Sequence, residues 1–241
     1  MWIMKVSLVL PAYNEAIRLE KTVNLTSKAL QEITPSFEII IAEDGSNDGT
    51  NKIARKLAEK CSYVQHLHSD FRQGRGRALN RAFKSASGDV LCYIDADLAT
   101  DMDHLKELVE SMYVEEYDFV TGSRMMPQSK VKRSLKRDVA SQGFNFLVRT
   151  FLHSKIYDHQ CGFKAFKRDP LFILLDKVKD THWFWDTEIL ILAQNHGYRV
   201  KEFPVIWKHG GPTKVNLRKD IQEIGSQIFR LRRDLNKEKH G

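Results

Sequence analysis

Two aspartates separated by one residue are the first groups in the sequence that could bind a metal ion. Asp95, Ala96 and Asp97 directly follow residues 89–94, an apolar run with the composition of a buried strand. Two carboxylates at a strand end can face one divalent cation. Mg²⁺ and Mn²⁺ prefer such oxygen ligands and commonly share them with substrate phosphates. Taken alone, the pair could equally be solvated acids in a turn.

The acidic, glycine-rich segment at residues 43–50 (EDGSNDGT) follows a second apolar run at 37–42. Its residue types are typical of a turn, and Asp48 or Thr50 is expected to cap the next helix. A carboxylate at a strand end can also accept hydrogen bonds from the edge of a nucleobase. Asp44 could therefore be a turn residue, a ligand of a nucleobase, or both.

Two further segments could bind phosphate. Residues 74–77 (GRGR) open a predicted helix, where glycines allow close approach of a ligand and the helix N-terminus favours anions. This is not a P-loop, because the GK[ST] ending is absent. Residues 130–137 are rich in lysine and arginine. We expect Lys130 and Lys132 to be solvated and Arg137 to bind phosphate, since arginine can donate two parallel hydrogen bonds.

Alternating strands and helices must position these groups. Apolar and amphipathic patterns predict strands at 5–10, 37–42, 64–67 and 89–94 and helices at 15–31, 50–61 and 76–86. This alternation predicts a parallel, doubly wound sheet, in which ligands bind beyond the carboxyl ends of the strands. Segments 11–15, 43–50 and 95–97 should therefore converge on one crevice.

The second half of the chain has a less regular pattern. It predicts a strand at 117–122, a basic loop at 125–137, a helix at 141–153, a strand at 200–207 and a helix from residue 217. Pro204 cannot donate a ladder hydrogen bond, so the strand at 200–207 should lie at a sheet edge.

Taken together, the order and spacing of the motifs resemble the family 2 glycosyltransferases, in particular the dolichyl- and polyprenyl-phosphate hexosyltransferases. The motifs cover nearly the whole chain and are PAYNE at 11–15, EDGSNDGT at 43–50, GRGRA at 74–78, GD at 88–89, DADL at 95–98, GSR at 122–124, DHQCGFK at 158–164, WDTE at 185–188 and EFPVIW at 202–207. The resemblance implies an α/β fold of the GT-A type, a Rossmann-like nucleotide-sugar domain whose doubly wound, mostly parallel sheet is flanked by helices.

The resemblance also implies roles for individual residues. The donor nucleotide sugar would contact Pro11, Ala12, Tyr13, Glu15, Asp44, Gly74, Arg75, Asp95, Ala96 and Asp97, with Asp44 at the base. Asp95 and Asp97 would hold Mg²⁺ or Mn²⁺ with the diphosphate. The acceptor phosphate would contact Arg124, Arg137, Ser141 and Gln160. Asp97, Arg124 and Asp158 would be catalytic, with Asp158 and Gln160 facing the sugar or the reaction centre.

The implied reaction is an inverting transfer of a hexose to a lipid-carried phosphate. UDP-glucose is the favoured donor and GDP-mannose the alternative, because Ala99 stands where mannose synthases usually have a glutamine ligand. A phosphate monoester is mostly dianionic at pH 7, with its second pKa near roughly 6. Such a nucleophile requires positioning more than a strong base.

Composition limits the partners and the compartment. The 241 residues carry 38 basic and 31 acidic side chains, a net charge of +7, which suits a phosphate-bearing partner. Three scattered cysteines argue against a disulfide framework and against a zinc site, and they fit a reducing cytosol. No apolar run approaches a membrane span.

The predicted organisation is one catalytic domain at 1–215, with a nucleotide-binding half at 1–100 and an acceptor-binding half at 101–215, followed by a basic amphipathic helix at 216–241. The apolar stripe of that helix comprises Leu217, Ile221, Ile224, Ile228, Leu231 and Leu235. It could pack on the domain, form a coiled-coil dimer or lie in a membrane interface, and we favour the interface. The expected location is peripheral, at the cytoplasmic face of a membrane, with a membrane-embedded partner subunit as a further possibility.

Three other functions are compatible with parts of the pattern. A family 2 transferase acting on a soluble glycan or protein is the nearest, but the basic segment and the phenylalanine-rich helix argue against it. A nucleotidyltransferase could use the same crevice. A nucleic-acid-binding module would need aromatic residues interleaved with basic ones on an exposed sheet. The aromatic residues here lie mostly in apolar contexts, so we expect no nucleic-acid partner.

Overall fold

The computed structural model describes residues 4–208 and 217–240, with side chains of the last helix described for 225–238. The strands are β1 (Val6–Ala12), β2 (Phe37–Glu43), β3 (Val64–Leu67), β4 (Val90–Ile94), β5 (Phe119–Ser123), β6 (Lys130–Lys132), β7 (Phe163–Lys167), β8 (Val200–Pro204) and β9 (Ile206–Lys208). The helices are α1 (Leu19–Ile33), α2 (Thr50–Lys60), α3 (Arg75–Ser85), α4 (His104–Tyr113), α5 (Leu135–Leu152), α6 (Arg168–Leu175), α7 (Trp185–Asn195) and α8 (Leu217–His240).

Seven strands form one sheet in the order β3-β2-β1-β4-β7-β5-β8, and β6 pairs with β9 in a small second sheet. Neighbouring strands in the large sheet are parallel except at β7, which runs antiparallel to both β4 and β5. The predicted α/β fold with a mostly parallel, helix-flanked sheet is confirmed.

The central strands are buried on both faces, which explains their continuous apolar runs. Along β1, Leu8 and Leu10 belong to one hydrophobic core and Val9 to the other. β4 alternates in the same way, with Tyr93 in one core and Cys92 in the other. Both cores draw residues from the predicted halves 1–100 and 101–215, so the two halves are packed together through shared cores.

The second half differs from the sequence prediction in two places. Residues 125–137 were expected to form a basic loop, but β6 and the first residues of α5 lie within them. α5 therefore begins at Leu135, ahead of the predicted start at residue 141. The strand β7 was not predicted, because Lys164 interrupts its apolar pattern; that lysine is nevertheless fully buried. The edge strand at 200–207 is confirmed and divides into β8 and β9.

The last helix packs on the domain. Ile228, Leu231 and Leu235 are buried in the core that lies beneath α5 and α7, and the rings of Phe229 and Phe151 lie 5.8 Å apart. The prediction that this apolar stripe lies in a membrane interface is wrong for residues 225–238, because protein covers it. The side chains of Leu217, Ile221 and Ile224 lie outside the described residues. No helix within the described ranges is both long enough and apolar enough to cross a bilayer.

Candidate functional site

The loops after β1 and β2 meet at the carboxyl edge of the sheet, as predicted. The Asp44 amide donates to the Ala12 carbonyl at 3.0 Å, and the Glu15 amide donates to Oγ1 of Thr50 at 2.8 Å. Asp48 accepts the Thr50 amide at 3.0 Å and so satisfies a donor in the first turn of α2. Pro11, the penultimate residue of β1, lies at the same edge.

Asp44 anchors the loop that opens α3. Its carboxylate accepts the backbone amides of Gln73 and Gly74 at 2.8 and 2.9 Å. Gly74 has φ +108°, and a Cβ there would lie 2.3 Å from the Thr181 carbonyl, so glycine is required. These contacts occupy part of the carboxylate that the resemblance assigns to the base. Tyr13 lies beside this loop, with the Arg72 guanidinium 4.1 Å from its ring centroid.

Asp95 and Asp97 lie together at the end of β4. Asp95 is partly exposed and accepts a 2.8 Å hydrogen bond from Nη2 of Arg75, while Asp97 accepts the Ala99 amide at 3.0 Å. Burial, and then the charge of Asp95, raise the pKa of Asp97 above its ordinary value. Between them, Ala96 is buried and its carbonyl accepts from Thr22. This set of hard oxygen atoms fits Mg²⁺ or Mn²⁺.

The main chain at Gly162, which directly precedes β7, lies against Asp95. The Asp95 amide donates to the Gly162 carbonyl at 3.0 Å. A Cβ on Gly162 would lie 2.0 Å from the Asp95 carboxylate, so a larger residue would displace the first of the paired acids. Glycine at this position keeps the paired carboxylates at the strand end.

Arg75 links the paired acids to α7. Its guanidinium donates hydrogen bonds to Asp95, which follows β4, and to Asp186, which lies in α7. Asp186 is buried, and burial raises its pKa to about 6 although Arg75 opposes the shift. Lys164 is also fully buried: its ammonium donates to the Cys161 carbonyl and lies 3.5 Å from Asp186. Burial lowers the pKa of Lys164 to about 8.

A second buried ion pair lies at the end of β5. Nε and Nη2 of Arg124 donate to the two Asp158 oxygens at 2.7 and 2.9 Å, and the Arg124 amide adds a third hydrogen bond. Burial would raise the pKa of Asp158, but Arg124 holds it well below its usual range. Glu202 of β8 accepts the amides of Tyr157 and Asp158 at 2.8 and 2.7 Å and fixes this loop. Asp158 is fully buried, and both of its carboxylate oxygens accept hydrogen bonds from Arg124.

The remaining predicted acceptor residues lie on α5 and beside Asp158. Arg137 and Ser141 are one turn apart on the same face of α5, and both are half-buried. The Gln160 amide donates to Asp158 at 3.2 Å. Arg133 does not belong to a solvated loop, because its guanidinium binds Asp138 and contacts the sulfur of Met125.

Asp186, Lys164 and Glu202 were not assigned roles from the sequence, although their motifs were noticed. A charged residue inside an apolar run could have indicated two of them. Asp186 lies in α7 among wholly buried neighbours, and Lys164 lies in a buried strand. A buried charge requires a partner. The sequence alone does not say which partner it has.

The architecture and the paired acids at the crevice are those of the GT-A class of nucleotide-sugar domains. Residues 7–172 match the model of the family described as glycosyl transferase family 2. The chain belongs to this family.

Individual relatives and solved structures agree with this assignment. The chain is 55% identical over 229 residues to glycosyltransferase AglD of Haloferax volcanii, covering 94% of this chain and 37% of that protein. It therefore spans little more than a third of that relative's length. It is 31% identical to a dolichyl-phosphate beta-glucosyltransferase of Dictyostelium discoideum, covering 94% of this chain and 73% of that one.

The fold is also similar to that of glucosyl-3-phosphoglycerate synthase from Mycobacterium tuberculosis, solved with Mn²⁺, uridine diphosphate and glucosyl-3-phosphoglycerate. The TM-score is 0.69 at 20% identity, with 95% of this chain and 78% of that chain covered. At this identity the similarity concerns the fold.

Proposed function

We propose that this chain is the catalytic domain of an inverting hexosyltransferase that transfers a hexose from UDP-glucose to dolichyl or polyprenyl phosphate, with GDP-mannose as the alternative donor. The observation that supports the proposal is that two charge clusters, one at the end of β4 and one at the end of β5, are close enough for Asp95 to raise the pKa of Arg124. Asp95 and Asp97 suit a nucleoside diphosphate with its metal ion, and Arg124 suits a second phosphate. Relatives named dolichyl-phosphate beta-glucosyltransferase align over 94% of the chain and support the lipid acceptor.

In the proposed reaction an oxygen of the acceptor phosphate attacks the anomeric carbon, and the bond from that carbon to the donor diphosphate breaks. The configuration inverts and the nucleoside diphosphate leaves with the bonding electrons. Arg124 and Arg137 orient the acceptor phosphate and screen its charge, so no strong base is required. A divalent cation held by Asp95 and Asp97 would supply neutralisation of the charge that develops on the diphosphate.

The test is product analysis with labelled UDP-glucose and labelled GDP-mannose, each with and without a polyprenyl phosphate in vesicles. We expect label from UDP-glucose to enter the lipid phase only when the polyprenyl phosphate is present. Label that enters a water-soluble glycan or protein instead would contradict the lipid acceptor and support the soluble-acceptor alternative. Transfer from GDP-mannose alone would overturn the donor assignment.

We expect Arg137→Ala to raise the KM for the lipid phosphate by about tenfold or more, because one charge-assisted hydrogen bond to phosphate is lost. The KM for the nucleotide sugar should change little. Lys136→Ala is the matched control, since Lys136 is an exposed neighbour on the same helix. An equal effect of both variants, or a rise in the donor KM with Arg137→Ala, would show that Arg137 does not bind the acceptor.

A helical surface offers the membrane contact that a lipid acceptor requires. On α5, Leu135, Val139 and Phe146 share one face and are 83%, 69% and 68% exposed. Arg137 and Ser141 lie on the other side of this helix, toward the domain. We propose that the exposed face enters the interface of an anionic membrane, with the neighbouring lysines at headgroups. The three free cysteines fit the cytoplasmic face.

We expect the full chain to float with anionic vesicles at low salt, and Phe146→Glu to abolish flotation, because a charge then enters the apolar face. Ile173→Glu is the control: Ile173 is 54% exposed but lies on α6. Deleting α8 is not a suitable test, because it removes buried core residues. If the wild-type protein stays in solution, access to the lipid must come from a membrane-embedded partner subunit.

A further inference from the structure

A group of three possible metal ligands lies at the β2–β3 edge of the sheet, away from the paired aspartates. Among the described residues, Glu43, His66 and His68 each offer one ligand atom, and these atoms lie within 4.8 Å of one another. Glu43 ends β2, His66 belongs to β3 and His68 follows it. β1 separates β2 from β4, so this group is distinct from Asp95 and Asp97.

The partners of the two histidines point to a bound cation. Nε2 of His66 is buried and makes no hydrogen bond to the described residues. Nδ1 of His68 contacts the Glu43 carboxylate, and its Nε2 lies 3.3 Å from an oxygen of Asp70. Metal-binding histidines commonly donate their second ring N–H to a carboxylate in this way. The side chain of His68 is 35% exposed, which leaves a path for an ion to enter.

The backbone under the group is held independently of any ion. Arg81 donates hydrogen bonds to the carbonyls of both His68 and Glu43, each at 3.0 Å. The other carboxylate oxygen of Glu43 accepts the Ser46 amide, which ties the group to the loop at 43–50. Arg55 and Arg81 bring positive charge near His66, and Glu43 and Asp70 oppose it.

We infer that Glu43, His66 and His68 form a site for a zinc-class divalent cation that joins the ends of β2 and β3. Two imidazoles and one carboxylate are ligands that suit Zn²⁺ and leave a fourth position for water. In this arrangement the lone pair on Nδ1 of His68 binds the cation, and the ring N–H lies on Nε2, toward Asp70. The sequence expectation of no zinc site was drawn from the number and spacing of the cysteines, which do not bear on a site whose ligands are histidine and glutamate.

Titration of the metal-stripped full chain with Zn²⁺ in excess Mg²⁺ tests the site, because the excess Mg²⁺ would compete with Zn²⁺ for the oxygen ligands of the paired aspartates. We expect one equivalent of Zn²⁺ to bind to the wild-type protein. His66→Gln and His68→Gln should each weaken Zn²⁺ binding roughly 100-fold, and Asp70→Asn should weaken it about tenfold relative to the wild type. His153→Asn is the control, since His153 is exposed and asparagine tolerates its φ of +53°.

Zn²⁺ affinity that is equal in the wild type and both histidine variants would overturn the inference, as would the lack of a stoichiometric site in the wild type. Should the variants not fold, Co²⁺ added to the wild-type protein decides the matter. One equivalent with the visible spectrum of imidazole-bound Co²⁺ supports the site, and a spectrum of hydrated Co²⁺ contradicts it. Neither result depends on transferase activity.

Discussion

Asp97→Asn is expected to lower kcat by about 1000-fold, which corresponds to about 4 kcal/mol of transition-state stabilisation. The variant keeps the oxygen that accepts the Ala99 amide but loses the charge that would hold a divalent cation against the leaving diphosphate. Initial rates of transfer from labelled donor, measured in excess Mg²⁺ or Mn²⁺, give the result. The fold should remain intact, because burial and the neighbouring Asp95 already disfavour the charged form of Asp97.

Asp103→Asn is the matched control for this experiment. Asp103 is an exposed aspartate before α4, close in sequence to the paired acids, and its side chain caps no helix amide. Its replacement should leave kcat within about twofold, because Asp103 is not one of the paired acids. The fold should also be unaffected, since exposed substitutions usually change the free energy of unfolding by roughly 0.5 kcal/mol or less. Full activity of the wild-type protein in excess chelator would contradict a metal role for Asp97.

Asp158→Asn is expected to reduce the free energy of unfolding by about 3–5 kcal/mol at neutral pH, because it leaves the buried Arg124 guanidinium without its counter-charge. Urea unfolding measures this change. Asp176→Asn is the control: Asp176 pairs with Lys84 at the surface, with side chains 76% and 55% exposed. Removing that surface pair should reduce the free energy of unfolding by about 0–1 kcal/mol. Equal losses in the two variants would show that the Arg124–Asp158 pair is no more important than a surface pair.

The loss of stability in Asp158→Asn should depend on pH. Arg124 holds the folded-state pKa of Asp158 below the ordinary value of 3.8. A carboxyl with a depressed pKa stabilises the fold above its unfolded-state pKa, and this stabilisation is lost as the pH falls toward the folded-state pKa. The difference between wild type and Asp158→Asn should therefore be constant at neutral pH and shrink below pH 3.8. A difference that stays constant in acid would contradict the ion pair as its source.

Much of the crevice could be predicted because it depends on short-range patterns. Continuous apolar runs identified β1, β2 and β4, and parallel strands place their carboxyl ends on one edge. Asp44, Asp95 and Asp97 follow those ends directly, so their position required no knowledge of distant residues. The antiparallel β7 was missed, since the buried Lys164 breaks the pattern from which a strand is recognised.

The sequence by itself located Asp44, Asp95 and Asp97 at the ends of strands, and the tertiary structure decided how the acids and arginines are paired. Arg75 bridges Asp95 and Asp186, and Asp186 is 111 residues from Arg75 in the chain. Asp158 is 34 residues from Arg124 in the chain, and its two carboxylate oxygens accept hydrogen bonds from that guanidinium. The stripe of Ile228, Leu231 and Leu235 could equally face lipid or protein, because both are apolar; only the fold shows that protein covers it. Charge compensation and burial depend on which elements distant in sequence come into contact, and a local sequence pattern does not predict those contacts.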